Sequence, residues 1–107
     1  MVINELGDIV STWATGQPLV SAAYLYGSRV KGTHRVDSDL DVAIEIEPER
    51  GDSSAKATWI CEKQWLTNSL QSLLPMELHL EWYDEYETPT VKQGLEDGHI
   101  KVFERSK

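Results

Sequence analysis

Asp39 and Asp41 stand at the head of an alternating run, "DLDVAIEIE", so on a strand both carboxylates project from one face. Like charges that close raise each other's pKa unless a cation sits between them. Magnesium takes one or two protein carboxylates and fills its shell with phosphate oxygens and water. Just upstream lies "YGSRVKGTHR". Gly27 lets a backbone approach closely without a side-chain clash. Ser28 offers a hydroxyl and an N–H, and if "SRVK" opens a helical turn its leading N–H groups face whatever lies beside Gly27. Arg29, Lys31 and Arg35 add positive charge to the same stretch. The two halves describe a cradle for phosphate beside a clamp for a metal ion. The plain alternative is a solvated basic loop running into a wet, acid-studded strand.

A third carboxylate would complete such a site. A later alternating run places Glu77, His79, Glu81 and Tyr83 on one face, with Met76, Leu78, Leu80 and Trp82 on the other. Glu77 or Glu81 could serve as the third ligand. His79 reads as a polar strand residue or a group behind the ligands, and His34 as a solvated loop residue. A P-loop is excluded: "GSRVKG" has the glycine spacing, but Thr33-His34 follows where Lys-Ser/Thr is needed, and no long helix comes after.

These residues need elements to hold them. Ile3, Leu6, Val10 and Trp13 recur at helical spacing and predict a helix over 2–14, stopped by Gly16 and Pro18. Residues 19–26 read as a buried strand ending at Gly27, and 39–47 as a strand with Leu40, Val42, Ile44 and Ile46 inward. "PERGDSS" is a turn region. A long helix is expected over 55–74, with Trp59, Leu66, Leu70 and Leu73 as its apolar stripe and Pro75 as its stop. The strand over 76–83 follows. Thr88-Pro89 predicts an N-cap and first-turn proline for a short helix to about Gly98, and "HIKVF" a last strand. Trp59, Trp65 and Trp82 are expected in the core. The order predicts an α/β (α+β) domain: a small mixed sheet with helices on one face and the other face open, as a single domain over 1–107.

Composition narrows the function classes. The 107 residues carry a net charge of −8, which argues against broad binding to a nucleic-acid backbone. Yet no Asp or Glu occurs between Ile9 and Val36, so an acidic chain has one locally basic loop. No apolar run approaches the ~20 residues of a membrane span. "MVINELGDIV" does not read as a secretory signal, and the lone Cys61 excludes an internal disulfide; both lead to the expectation of a cytoplasmic protein.

The stretch "YLYGSRVKGTHRVDSDLDVAIEI" resembles the DNA polymerase β-like nucleotidyltransferase superfamily, and in particular its smallest, MNT-type (minimal nucleotidyltransferase) domains. Their pattern is a strand, Gly-Ser, a basic loop with a second glycine, Ser-Asp-x-Asp, and an apolar strand. Beyond it, "LEWYDEYETPTVKQGLEDGHIKVFE" looks like the family's closing region. The resemblance implies transfer of a nucleoside monophosphate, AMP from ATP being the expected case, with pyrophosphate as the leaving group and two Mg²⁺ ions in the active complex. It implies Asp39, Asp41 and Glu81 as catalytic and metal ligands. Gly27, Ser28, Arg29, Lys31, Arg35 and Ser38 would bind the nucleotide. Glu81 stands where many small members have aspartate, and Lys31 where arginine is frequent.

A chain this short has no second domain to hold an acceptor, so a homodimer or a separate protein must provide that surface. MNT-type domains are commonly paired with helical HEPN proteins, acting as antitoxins that can attach AMP to a tyrosine of the toxin. The resemblance therefore implies such a partner. Two alternatives stand beside it: a non-catalytic antitoxin that masks its partner by binding, and a modifier of small molecules such as aminoglycosides.

Overall fold

The computed structural model describes residues 2–33, 35, 38–48, 51 and 53–106. Its elements run α1 (Ile3–Thr15), β1 (Val20–Tyr26), α2 (Ser28–Lys31), β2 (Leu40–Ile46), α3 (Ala55–Gln71), β3 (Leu78–Trp82), α4 (Pro89–Glu96) and β4 (His99–Glu104). The strands form one mixed sheet in the order β3-β2-β1-β4. β1 pairs antiparallel with β2 and with β4, whereas β2 and β3 are parallel and joined by the long crossover through α3. Antiparallel β1 and β2 thus bring the end of one beside the start of the other, and parallel β3 starts at that same end.

The expected alternation holds. Leu40, Val42 and Ile44 of β2 and Leu78, Leu80 and Trp82 of β3 are buried against α1 and α3. Leu6, Val10 and Trp13 from α1 and Leu66 and Leu70 from α3 fill the same layer. Trp13 donates its indole N–H to the Ser69 hydroxyl at 2.9 Å, tying the two helices together. Ser54 caps α3, accepting from the Ala57 N–H at 3.2 Å.

Two expectations for α3 need correcting. Leu73 is 51% exposed, because the helix ends at Gln71 and the turn beyond it hands the inward place to Leu74. Trp65 is 58% exposed on the outer side of α3, while Trp59 and Trp82 are buried as expected. His34 lies outside the described residues.

The second face of the sheet is partly covered. Leu95 and Val91 of α4 pack with Ala22, Tyr24, Ala43, Tyr26 and Tyr83. A β-carbon on Gly94 would lie 2.9 Å from the Tyr26 ring, so this glycine lets α4 settle close to β1. Thr88 does sit at the N-cap position, but its hydroxyl exchanges hydrogen bonds with the Asp84 backbone instead of capping the helix. The end of this face that carries Asp39 and Asp41 stays open.

Candidate active site

Three strand ends build the site. Asp41 is the second residue of β2, and its neighbours in the sheet are Tyr26 on β1 and His79 on β3. Asp39 precedes β2, level with Glu77: the Leu40 N–H donates to the Glu77 carbonyl at 2.9 Å. Glu81 faces Ala43, two pairs further along the strands than Asp41 and His79. All of these side chains share the face that alternation assigns to the polar residues.

An open pocket of about 340 Å³ is lined by Ser28, Ser38, Asp39, Asp41 and His79. The His79 ring spans the two aspartates, with Nε2 3.2 Å from Asp39 Oδ2 and Nδ1 3.6 Å from Asp41 Oδ1. One ligand atom each from Asp39, Glu77 and His79 fall within 4.8 Å of one another. Burial at the pocket floor pushes the Asp41 carboxyl above its ordinary value; His79 opposes the rise, while Asp39 and Glu81 add to it. The Tyr26 phenol is pushed up to about 12 by burial, with Asp41 and Glu81 contributing.

Between β1 and β2 the described residues bond to one another at several points. Gly27 adopts φ 78°, ψ −158°, and a β-carbon there would collide with the Asp41 carboxylate. Any side chain at this position would have to displace Asp41. Arg29 is buried and donates from Nε and Nη2 to the Ser38 carbonyl, at 3.1 and 2.7 Å. Ser38 also accepts the Arg35 N–H on its hydroxyl at 2.8 Å and donates its own N–H to the Arg35 carbonyl at 3.0 Å. These bonds fix the residue directly before Asp39.

Of the expected nucleotide-binding residues, Gly27, Ser28 and Ser38 therefore border the acids. Arg29 lies beneath the loop with its guanidinium on backbone. Arg35 is exposed. Lys31 makes a long, exposed ion pair of 3.9 Å with Asp97 beyond α4. Of the expected acids, Asp39 and Asp41 come together, with Glu81 near enough to raise Asp41 but further along the strands than His79. Tyr26 is an addition that the sequence reading did not single out. Its place in β1, at the same parity as Tyr24 and next to Gly27, was the available signal.

The donor set suits a divalent cation: two adjoining carboxylates, a third within reach, and an imidazole. Ser28 and Ser38 on the same pocket wall offer hydroxyls to an anionic ligand. A family model for the polymerase beta nucleotidyltransferase domain matches residues 9–107. The chain belongs to the polymerase beta nucleotidyltransferase family, whose chemistry implies a divalent metal and a nucleoside triphosphate. In fold it is similar to a toxin-antitoxin solved with AMP-PNP, at 21% identity and a TM-score of 0.67, over 94% of this chain and 74% of that one. It is likewise similar to the toxin-antitoxin MntA-HepT, at 18% identity and a TM-score of 0.56, over 95% of this chain and 69% of that one. At these identities the likeness establishes the fold. No curated protein sequence matches the chain. Among the described residues, no helix is long and apolar enough to cross a membrane.

Proposed function

We propose that this protein transfers a nucleoside monophosphate, AMP from ATP, to a hydroxyl on a partner protein, as the antitoxin member of a two-protein module. The observation that carries the reading is the joining of Asp39 and Asp41 to the Gly27-Ser28 cradle at one sheet end, in a chain of this family. Asp39 and Asp41 would hold the metal, with Glu81 on the same face as a further acid. Bound divalent ions supply positive charge to the phosphates and to the attacking oxygen. The chain's own residues do the rest. Gly27 leaves its side-chain space to the Asp41 carboxylate, so that acid can stand at the head of the strand. Ser28 and Ser38 offer hydroxyls at the rim. Arg29 fixes the Ser38 carbonyl and thereby the approach of Asp39 to the pocket. Tyr26, held neutral at physiological pH, adds no negative charge beneath Asp41.

The fold neighbours support the partner and the nucleotide: both are toxin-antitoxin structures, and one was solved with AMP-PNP, an ATP analogue. The acceptor is read as a protein because the described elements are all used in forming one sheet and its cover, leaving the site open at its end.

The test is incubation with labelled ATP and a divalent metal, alone and with lysate of its own cell. Label on a protein band and pyrophosphate release are expected, both lost in the double variant Asp39→Asn, Asp41→Asn. Unchanged release by that variant would overturn the reading.

A further inference from the structure

We propose that His79 is itself a metal ligand, and that its imidazole makes the site select manganese over magnesium. The inference rests on the reading of this pocket as a nucleotidyl-transfer site and concerns which ion that site takes.

The geometry starts with the register of β2 and β3. Pairing Asp41 with His79 puts the imidazole, not a carboxylate, in the place directly beside Asp41. Its two nitrogens then reach both aspartates, one at 3.2 Å and the other at 3.6 Å. Among the described residues, His79 with Asp39 and Glu77 forms a set of ligand atoms within 4.8 Å of one another. Atoms bound to one ion at about 2.1 Å lie at most about 4.2 Å apart. Exposed side chains need only a small movement to converge.

Chemistry then decides between ions. Magnesium is a hard cation that takes oxygen and keeps its waters, so an imidazole in its inner shell adds little. Imidazole suits the transition metals, whose affinity for nitrogen ligands rises from manganese onward. Manganese also accepts carboxylates such as those around His79, and would accept the oxygens of a bound triphosphate, in an octahedral arrangement. A site of Asp39, Glu77 and the His79 imidazole, with Asp41 beside it, therefore fits manganese better than magnesium.

The test is binding, read apart from turnover. The metal-free full chain is titrated with manganese chloride, following loss of the free-ion electron paramagnetic resonance signal, with magnesium chloride as competitor. Both titrations are repeated with a non-hydrolysable ATP analogue present. We expect His79→Ala to weaken manganese binding by about tenfold or more and to leave magnesium binding nearly unchanged. His79→Asp should restore magnesium affinity and narrow the manganese preference. Circular dichroism checks that both variants are folded, as the half-exposed position of His79 leads us to expect. Unchanged manganese-to-magnesium selectivity in both variants, with binding lost in Asp39→Asn, Asp41→Asn, would overturn the role of His79 and leave the transferase reading intact. Absence of metal binding to the wild-type chain with the analogue present would overturn both.

Discussion

At Gly27 two constraints coincide: a positive φ that other residues rarely adopt, and a β-carbon position already taken by the Asp41 carboxylate. Gly27→Ala should cost about 1–3 kcal/mol in chemical denaturation. It should also weaken metal binding, because the new methyl group displaces Asp41. An unchanged denaturation midpoint would contradict this. Asp41 gives a second prediction. Its carboxyl is raised above the ordinary 3.8, so the folded chain holds that proton more tightly than the unfolded chain does. Its contribution to metal-free stability is therefore fully present below 3.8 and is lost as pH rises through the raised value. Asp41→Asn should flatten that fall. In the metal-free protein at neutral pH it should raise the melting temperature. The variant should gain no further stability from added metal, whereas wild type should. Thermal melts across pH, with chelator and with manganese, check both parts.

The elements show which parts of this arrangement can be read from a sequence. The faces of β2 and β3 were legible because side chains alternate on a strand, so Leu40, Val42, Leu78 and Leu80 declared the inside and Asp39, Asp41, Glu77, His79 and Glu81 the outside. The loop after β1 was legible through Gly27 and the basic stretch of an acidic chain. The register between β2 and β3 was not. Parallel neighbours joined by a helical crossover carry no turn that fixes their pairing, and a shift by two residues keeps every face unchanged. Glu81 and His79 are separated by that shift, and only the pairing of Asp41 with His79 distinguishes them. The burial of Arg29 was also hidden, since a basic residue in a loop reads as solvated until a backbone carbonyl is found beneath it. At the end of α3 the helical period outran the helix, which is why Leu73 was assigned inward. Leu70→Ala should therefore cost about 2–5 kcal/mol, and Leu73→Ala less than about 0.5 kcal/mol. Urea denaturation of the pair measures the contrast, and similar losses would refute the boundary at Gln71.

In the whole molecule, the side chains of the candidate site are drawn from chain segments separated by the entire length of α3. β1 and β2 are near in sequence and pair early, whereas β3 can dock only after the crossover is made. The folding transition state should thus have Asp39 and Asp41 placed and His79 still absent. An ion held by both strands stabilises the native protein but not that transition state. Manganese should slow unfolding by about tenfold and leave the refolding rate within about twofold. Stopped-flow unfolding and refolding, with the ion and with chelator, separate the two arms; an effect confined to refolding would show that β3 joins early. With an ion bound across it, the parallel pairing would act as a kinetic latch, governing how long the folded protein lasts and not how soon it forms.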